Sequence, residues 1–572
     1  MIRLLTEPRS PAVLLAVSFC LGMLHALSML PVSLIQGSGR FWEYPSGIMG
    51  GTTDMVQVLV GYLYLMKSAW SLPILLVPNL APPGGTNIFW LDAVPWLSLM
   101  GKTVYSATGA VVNLLGIYLF ACLVLPGVAM TTLLAVAGQR SLLAAITGTA
   151  IADATPYLLF RWGHIASFGQ FWIIFALALY LLTLRNPRDW RVTAIWLGIL
   201  PIVFLTNVYL FAMVAACWIA ALVQRLLDDN VDGRWSLMEL ASMIGVTIVV
   251  AWVTGILSAG LASGGIAGFG IYSMNLASPF APQMSGLIPG LEHYLVGRGS
   301  QYEGYAYLGL GVLLLLVVSF PEWLTWLRQR FTRHLALFCV TSCFVAFALS
   351  DKVYLGSHLL LQVPLPDRIV YALGTFRSSG RFIWPVGYTL IAGSIILTMR
   401  RYRPATTIGI LAVAAIVQLV DVIPLRKMVS ESSDQPAAPI FDRAAATALV
   451  ARSQTVMVFP SFGCTRSLWE RGLIAKDEWE RLRQANMEFQ LFAARDNLPI
   501  NSVYNARLET DCAAEETAEN QALRDGTLYV YLKVFEPSLH QLGGRAKPDV
   551  CGKLDWLKYC LLPTVASHQA LK

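Results

Sequence analysis

Long apolar runs are the feature of this sequence that most limits its possible folds. Of the 572 residues, 56% are hydrophobic and only 13% are charged, and the apolar runs fill the chain up to about residue 424. A helix crosses a bilayer with about 17 to 25 apolar residues. The sequence predicts eleven such spans, some of them short, at residues 11–31, 106–134, 141–160, 165–184, 192–207, 208–226, 238–260, 306–320, 334–350, 383–399 and 404–424. We therefore expect an α-helical polytopic membrane protein.

The basic clusters lie on every second connection between these spans, which places them on one side of the membrane. With Arg3 and Arg9 on the cytoplasmic side, the even-numbered connections are also cytoplasmic, and these carry the basic clusters, such as Arg185, Arg188 and Arg191. We expect a multi-pass protein of the bacterial inner membrane whose N-terminus is cytoplasmic. The first span is too long for a typical signal peptide, so we expect it to remain as a helix. The segments then placed in the periplasm are 33–102, 261–305, 351–382 and everything after residue 424.

The same alternation accounts for the formal net charge of +7. A nucleic-acid-binding protein would concentrate its Lys and Arg in a run with interleaved aromatic residues, and the sequence has no such run. We predict a membrane-lipid environment and no nucleic-acid partner.

The composition becomes that of an ordinary globular protein after residue 424. Strand-like runs occur at 454–460 and 527–534, and a helix-like stretch occurs at 471–494. We therefore predict two domains: a transmembrane domain over residues 1–424 and a soluble periplasmic α/β domain over residues 425–572.

Four of the nine cysteines lie in this tail, at Cys464, Cys512, Cys551 and Cys560. An even number of cysteines in an exported domain favours two disulfides, for which three connectivities are possible. The alternative is four buried thiols. The other five cysteines lie in apolar spans, where Cys behaves as a small hydrophobic residue.

The first predicted periplasmic loop, residues 33–102, is long, polar and rich in aromatic residues. Loops of this length are usually functional or disordered, and this one is too rich in Trp, Phe and Leu to be disordered; we expect it to fold against the membrane surface. A turn precedes a predicted helix from Met55 to Lys67, with Asp54 at its N-cap. Asp54 is either a simple cap or a catalytic carboxylate. Asp92, which precedes a Pro-Trp turn, has the same two interpretations.

Other ionisable residues collect near span ends on the predicted periplasmic side. Charges at membrane depth are costly and are functional candidates by default. These residues are Arg161, His164, Glu292, His293, Arg298, Glu303, Arg377 and Arg381.

Four of these residues also have a simpler interpretation. Arg377 and Arg381, four residues apart, either converge from one helical face on a phosphate or extend separately to the interface. His164 is either a phosphate contact or an ordinary interface histidine, and Glu303 either acts in a site or caps the helix that follows it.

Several common catalytic motifs are missing. The sequence has no P-loop, no G-x-S-x-G elbow, no H-E-x-x-H helix and no cysteine pair at zinc spacing. It therefore gives no reason to predict a bound cofactor.

The order and sidedness of these features resemble the GT-C superfamily of membrane glycosyltransferases, which use polyprenyl-phosphate-linked sugars. The local strings also resemble a poorly characterised family of bacterial polytopic proteins. These strings are Gly-Gly-Thr-Thr-Asp at 50–54, Trp-Ser-Leu-Pro at 70–73, Pro-Gly-Gly-Thr-Asn at 83–87, Asp-Ala-Val-Pro at 92–95, Gln-Tyr-Glu-Gly-Tyr-Ala-Tyr-Leu at 301–308 and Phe-Arg-Ser-Ser-Gly-Arg-Phe-Ile-Trp at 376–384.

The resemblance implies an inverting glycosyltransferase with a GT-C-like membrane domain. Its general base would be the first-loop acid, best matched by Asp54, with Asp92 as the competitor. Many members have a paired acid there, which in some of them holds a divalent metal, but Thr53 precedes Asp54 here, so we predict no metal. The donor phosphate would lie on the basic residues Arg161, His164, Arg377 and Arg381. Residues assigned to substrate binding are Trp42, Lys67, Tyr302 and Glu303.

The expected partners are a polyprenyl-phosphate-linked sugar donor and a glycan, lipid or protein acceptor. A transporter or flippase of a lipid-linked saccharide is the main alternative, although such a protein should carry charges near the membrane midplane and often has repeated halves. A third possibility is a non-catalytic assembly or carbohydrate-binding protein in which the tail is the working part.

Overall fold

A computed structural model of the chain describes residues 2–47, 53–228, 233–257, 269–288, 300–505, 510–519, 524–532 and 550–562. The side chains of residue 53 and residues 516–519 lie outside this description, as do the candidate residues Glu292, His293 and Arg298.

Helices make up most of the described residues. They are α1 Ile2–Thr6, α2 Pro11–Leu27, α3 Val32–Ile35, α4 Thr53–Lys67, α5 Pro95–Thr108, α6 Leu115–Val136, α7 Leu142–Asp153, α8 Pro156–Leu159, α9 Ile165–Phe168, α10 Phe171–Arg185, α11 Trp190–Phe204, α12 Val208–Leu227, α13 Gly233–Val253, α14 Leu310–Arg330, α15 Leu335–Leu349, α16 Asp367–Leu373, α17 Trp384–Arg401, α18 Pro404–Asp421, α19 Ile423–Asp434, α20 Arg443–Ala451, α21 Phe462–Glu470, α22 Lys476–Asp496 and α23 Cys512–Glu519.

Strands are short and form three small sheets in the described residues. They are β1 Leu76–Val77, β2 Thr86–Asn87, β3 Lys352–Leu355, β4 His358–Gln362, β5 Thr455–Phe459, β6 Thr527–Tyr531, β7 Cys551–Leu554 and β8 Leu557–Leu561.

Seven helical segments among the described residues are long and apolar enough to cross a membrane. One of them, Leu310–Leu349, contains both α14 and α15, and α2, α7 and α11 are shorter apolar helices. Each of the eleven predicted spans overlaps an apolar helix. The protein is therefore mostly helical, as predicted, while the number of actual crossings stays a prediction.

Two span boundaries predicted from sequence were wrong. Residues 106–114 do not begin a crossing helix, because α5 ends at Thr108 and Gly109 takes a left-handed backbone with φ 71°. The helix α6 begins only at Leu115. At the eighth span, α14 starts at Leu310 and continues through Pro321 to Arg330, so the helix ends ten residues beyond the predicted residue 320.

The chain divides into two compact units. The first comprises Met1–Gln36, Gly116–Ile248 and Gly265–Asp434, and the second comprises Gly37–Leu115, Val249–Gly264 and Gln435–Lys572. Such units describe packing, whereas the domain boundary at residue 424 was drawn from membrane topology and stays a prediction.

The first unit is a bundle of apolar helices. Within it, α14 packs against α17 and α18, α10 packs against α12 and α17, and α2 packs against α7. The bundle core is built from large buried side chains, among them Trp162, Trp196, Tyr180 and Trp384. Burial of such aromatic rings supplies much of the packing energy of a helical core.

The start of α14 is capped by side chains from α18. The Leu310 amide donates to Asp421 Oδ2 at 2.8 Å, and the Tyr307 hydroxyl donates to the same oxygen at 2.8 Å. The Val312 amide donates to Gln418 Oε1 at 3.2 Å. The first amides of a helix have no partners within it, and lipid offers none. These contacts therefore fix where α14 begins.

The second unit contains a four-stranded mixed sheet in the order β5-β6-β8-β7. The pair β5 and β6 is parallel, whereas β6–β8 and β8–β7 are antiparallel. The predicted strands at 454–460 and 527–534 correspond to β5 and β6, and most of the predicted helix at 471–494 corresponds to α22. The described part of the tail thus contains both helices and strands, while its assignment as a separate soluble α/β domain stays a prediction.

The helix α4 of the first loop packs against α22 of the tail. The Gln57 side chain donates to the Tyr504 carbonyl at 2.8 Å, and the Tyr64 hydroxyl donates to the Leu498 carbonyl at 2.7 Å. Nearly all side chains from Met55 to Met66 are buried. Because α4 is apolar around most of its circumference, it needs cover on several sides, and α22 provides one of them.

Candidate functional site

The site in the first unit is built around Glu303, which lies in a 3-10 turn, Gln301–Gly304, just before α14. A second 3-10 turn, Ser379–Ile383, precedes α17 and packs against the first. This packing requires glycine at position 380, because a Cβ on Gly380 would lie 2.5 Å from the Cα of Gly304. The close approach of the two turns brings Arg381 beside Glu303.

Two buried arginines donate hydrogen bonds to the same oxygen of the Glu303 carboxylate. Arg161 Nη1 lies 2.8 Å from Oε2, and Arg161 Nη2 donates to the Glu303 carbonyl at 2.6 Å. Arg381 donates to the same Oε2 from Nη2 at 2.7 Å and from Nε at 3.2 Å. Charge-assisted bonds of this length are strong in a buried setting, so the three side chains form one rigid cluster.

His164 lies on the more accessible side of the cluster. Its Nε2 is 3.7 Å from Glu303 Oε1, and 28% of its side chain is exposed, against 1% for Arg161. Burial alone would raise the pKa of Glu303, but the charges of Arg381, Arg161 and His164 hold that pKa well below its usual range. Glu303 is therefore a carboxylate at neutral pH.

The cluster carries more positive than negative charge. Two guanidinium groups face one carboxylate, and burial lowers the pKa of Arg161 only to about 10, which leaves it protonated at neutral pH. Two further polar atoms, Arg161 Nε and Ser379 Oγ, are buried without a hydrogen-bond partner among the residues that the structure describes. Buried polar atoms without partners are unusual and call for an explanation. An anion placed here would meet one excess charge and spare donors.

Aromatic rings surround the two arginines. The Arg381 guanidinium lies 5.1 Å from the ring centre of Tyr209, and the Arg161 guanidinium lies 5.7 Å from the rings of Phe160 and Trp384. Such faces favour a planar cation and exclude water. They therefore strengthen the electrostatic effect of the charges that they enclose.

Arg377 and Arg381 do not lie on one helical face, while their shared contact with a phosphate stays a prediction. Residues 379–383 form a 3-10 turn, in which a spacing of four does not align side chains. The Arg377 guanidinium lies 5.0 Å from the Tyr272 ring, and the arginine that joins Arg381 at Glu303 is Arg161. Tyr302, next to Glu303, is 52% exposed.

Glu303 does not cap the helix that follows it. Its turn ends at Gly304, whereas α14 begins at Leu310 and is capped by Asp421. The simpler of the two interpretations given for Glu303 was therefore wrong.

The first-loop carboxylates lie in the second unit. Asp54 falls in the first turn of α4, which begins at Thr53, so Asp54 is inside the helix and the predicted cap position was wrong by a residue or more. An acid in the first turn still interacts favourably with the helix dipole. Asp54 is half-buried.

Asp92 is exposed and does not cap the following helix, because the N-cap of α5 is Val94. Asp92 and Val94 both take left-handed backbone conformations, with φ values of 51° and 47°. A β-branched residue rarely adopts this conformation, and such outliers concentrate at functional sites. Asp92 therefore remains a serious competitor of Asp54.

Lys67 and Trp42 have structural roles in the second unit. Lys67 Nζ donates to the Arg495 carbonyl, and burial lowers the pKa of this amine. The Trp42 ring is buried and meets Phe41 edge to face at 5.0 Å. These contacts explain both residues through packing, and nothing in them points to the substrate contacts predicted from sequence.

The four tail cysteines form two disulfides, Cys464–Cys512 and Cys551–Cys560. The first links α21 to α23, and the second joins the neighbouring strands β7 and β8. This is one of the three connectivities that the sequence left open.

Two protein-family models match the chain. The model described as "Domain of unknown function (DUF6311)" matches residues 19–423, and the model described as "DUF6311 C-terminal domain" matches residues 445–562. The chain belongs to the DUF6311 family. No curated protein matches this DUF6311 chain.

Three solved structures of the oligosaccharyltransferase of Archaeoglobus fulgidus are similar to this DUF6311 protein at low identity. The apo form has 10% identity and a TM-score of 0.43, with 90% of this chain and 69% of that chain covered. The enzyme AglB with an inhibitory peptide and a dolichol-phosphate has 11% identity and a TM-score of 0.42, with 90% and 69% covered. The complex with Zn and sulfate has 12% identity and a TM-score of 0.43, with 90% and 67% covered.

Sequence reasoning missed several buried carboxylates of the DUF6311 bundle, among them Asp153 and Asp421. Asp153 ends α7, and its Oδ1 accepts a bond from the Gly127 amide at 2.7 Å, one residue after Pro126 inside α6. Asp421 caps α14. Both lie within predicted apolar spans, so the rarity of ionisable residues there was the signal that could have found them.

The described residues of this DUF6311 protein contain no obvious metal site. Within them, no group of three or more His, Cys, Asp and Glu side chains is arranged to hold a metal ion.

Proposed function

We propose that this protein is an inverting glycosyltransferase that moves a sugar from a polyprenyl-phosphate carrier to a periplasmic glycan, lipid or protein acceptor. The observation that carries this proposal is the excess positive charge of the buried cluster formed by Arg161, Arg381, His164 and Glu303. The sequence resemblance to GT-C glycosyltransferases supplies the reaction type.

The arginines suit the phosphate of the donor. Guanidinium groups bind phosphate oxygens through paired donors. Glu303 holds Arg161 and Arg381 in fixed orientations through four hydrogen bonds, two from each arginine. A site that is already oriented loses little free energy when it binds its ligand. In this proposal Glu303 is a positioning residue, and the arginines and His164 contact the phosphate.

The chemistry also explains an excess of positive charge. The acceptor hydroxyl attacks the anomeric carbon, the bond from that carbon to the phosphate oxygen breaks, and the electron pair leaves with the phosphate. The departing phosphate therefore gains one negative charge. Fixed cations stabilise this charge more in the transition state than in the bound substrate, which accelerates the reaction.

The acceptor hydroxyl must lose a proton as the new bond forms. We assign the general base to Asp54, because the superfamily uses a first-loop acid and Asp54 is the nearest match. Its position in the first turn of α4 holds the carboxylate on a rigid helix. Asp92, on a strained and exposed turn, is the competing assignment.

The test is the release of polyprenyl phosphate by purified protein supplied with lipid-linked sugars and acceptors extracted from native membranes. A positioned base contributes about 10²- to 10⁴-fold in rate. We expect Asp54→Asn to slow release by at least about 100-fold, with Asp92→Asn as the matched control. Asn suits the start of a helix nearly as well as Asp, so the fold should survive.

Loss of activity in Asp92→Asn alone would move the base to Asp92. Full activity in both variants would reject both carboxylates as the base, and no release by the wild type would overturn the transferase proposal. Movement of a lipid-linked sugar across reconstituted vesicles by a wild-type protein that releases no polyprenyl phosphate would then favour a transporter.

Arg381→Lys tests the phosphate site separately. Lys keeps the charge but loses the paired donors, so we expect donor affinity to fall about tenfold. Unchanged donor affinity in Arg381→Lys would mean that the cluster has only a structural role.

A further inference from the structure

The first unit contains a second charged region, a cavity of about 610 Å³ at the opposite ends of the same helices. Arg161, Glu303 and Arg381 precede α10, α14 and α17, whereas the lining residues Arg185, Arg330 and Arg400 lie at the C-terminal ends of these three helices. The 21 residues of α14 span about 31 Å, which is the thickness of a bilayer core. The two regions therefore lie at opposite ends of a helix that is about as long as a bilayer core is thick.

Four exposed arginines, Arg185, Arg330, Arg333 and Arg400, form the rim of this cavity. Other arginines of the bundle have carboxylate partners: Arg225 on α12 pairs with Glu239 at 2.8 Å, and Arg401 on α17 pairs with Glu322 at 2.5 Å. Within the described parts of the chain, the four rim guanidinium groups have neither an ion pair nor a hydrogen bond.

The single acid that lines the cavity does not neutralise the rim. Asp228 already accepts a bond from the Gln224 side chain at 2.9 Å. Four positive charges therefore meet one negative charge, and the rim favours an anion.

The wall of the cavity is aromatic and apolar. The rings of Trp323 and Trp326 meet edge to face at 5.7 Å, and Trp326 stacks on His334 at 5.7 Å. Trp323 lies against α17 where Gly393 leaves room for it, since a Cβ there would be 2.3 Å from the ring. The Trp323 ring nitrogen donates to Ser394 at 3.2 Å. Tryptophan in this arrangement is typical of the border between lipid and water.

We propose that this cavity binds the phosphate headgroup of an anionic membrane lipid, with the lipid's apolar chains against the tryptophan wall. A volume of about 610 Å³ lies within the range of ligand sites and far exceeds what an inorganic phosphate fills. The ion alone would leave the apolar wall uncovered. Basic pockets between membrane helices on the cytoplasmic side are suited to such headgroups, and the predicted topology places the rim on that side.

The experiment uses the full-length protein in neutral detergent and native mass spectrometry to titrate bound phosphatidylglycerol, with phosphatidylcholine as the zwitterionic comparison. Each arginine near the headgroup contributes about fivefold in affinity. We expect Arg330→Gln/Arg333→Gln to weaken phosphatidylglycerol binding about 25-fold. The matched control is Arg188→Gln/Arg191→Gln, which removes one exposed charge after α10 and one at the start of α11 without touching the cavity lining. This control should stay within about twofold of the wild type.

Equal weakening in both double variants would overturn the proposal, because general surface charge would then explain the binding. Equal affinity for phosphatidylcholine would also overturn it. Displacement of the lipid by millimolar inorganic phosphate would identify a free-anion site and reject the lipid assignment. If Arg330→Gln/Arg333→Gln fails to fold, Arg185→Gln/Arg400→Gln on two other helices makes the same measurement with the same expected loss.

Discussion

The two ends of α10, α14 and α17 handle positive charge in opposite ways. At the N-terminal ends, Arg161 and Arg381 are buried and share the carboxylate of Glu303. At the C-terminal ends, Arg185, Arg330 and Arg400 are exposed around an open cavity. A buried charge is tolerable only with a close counter-charge, whereas water and salt screen an exposed one. The buried arginines are therefore held in one geometry, whereas the exposed arginines stay available to a ligand.

The largest effect on stability is expected at Glu303. Glu303→Gln leaves two buried guanidinium groups without a carboxylate, and breaking such a pair costs about 3–5 kcal/mol in the free energy of unfolding. Thermal unfolding of the purified protein in detergent measures the loss. Asp228→Asn, at the other end, should cost less than about 0.5 kcal/mol. Similar losses in the free energy of unfolding for the two variants would mean that the two ends of the helices do not differ in how strongly they depend on a counter-charge.

A second prediction tests whether close packing creates the buried end. In Gly380→Ala the new Cβ would lie 2.5 Å from the Cα of Gly304, and overpacking of this kind costs about 1–3 kcal/mol. Gly409→Ala in α18 is the control, because a Cβ there meets nothing within 4 Å. Alanine should stabilise that helix by about 0.5–1 kcal/mol. Opposite signs in the two melting temperatures are the expected result.

The third prediction concerns pH. The pKa of Glu303 is lowered in the folded protein, so its stabilising contribution is complete above the usual glutamate pKa, which is about 4.3. This contribution is lost only as the pH falls through the lower, folded value. The difference in melting temperature between the wild type and Glu303→Gln should therefore be constant from about pH 8 to pH 5 and should shrink only in stronger acid. If the difference in melting temperature disappeared between about pH 8 and pH 5, this result would contradict the ion-pair geometry.

The smallest effect is expected from single changes at the cavity rim. Arg330→Gln or Arg400→Gln removes an exposed side chain with no hydrogen-bond partner among the described residues, so stability should change by less than about 0.5 kcal/mol. Differential scanning fluorimetry without added lipid is the appropriate measurement. A large loss of stability would mean that the rim, like the opposite end, is part of the folded framework.

Local patterns in the sequence were enough to predict the apolar helices and to select most members of the buried cluster. Arg161, His164, Glu303 and Arg381 each stood out as an ionisable residue at the end of an apolar span. Their grouping was not predictable, because Arg161 and Glu303 are separated by 142 positions and Arg381 and Glu303 by 78. Contacts over such distances depend on how the helices pack, and a single sequence does not encode this in any local pattern.

The errors also have local physical causes. The spacing of Arg377 and Arg381 suggested one helical face, but Ser-Ser-Gly between them favours a tight turn, and Gly380 permits the close contact with Gly304. The assignment of Lys67 and Trp42 to substrate binding stays a prediction, although both residues have packing or hydrogen-bond partners within their own unit. Residue type identifies a candidate for chemistry, while burial and partners decide whether the side chain is available for it.

The cap of α14 has a consequence for how the protein is made. Asp421, which accepts a bond from the Leu310 amide, lies 111 positions after it. A ribosome adds about 5–20 residues per second, so α14 is synthesised roughly 5 to 20 s before its cap exists. The turn that carries Glu303 comes just before α14, so it cannot take its final conformation until the first turn of that helix is capped. A nascent chain that stops before α18 would therefore hold the arginines and Glu303 but lack the finished cluster.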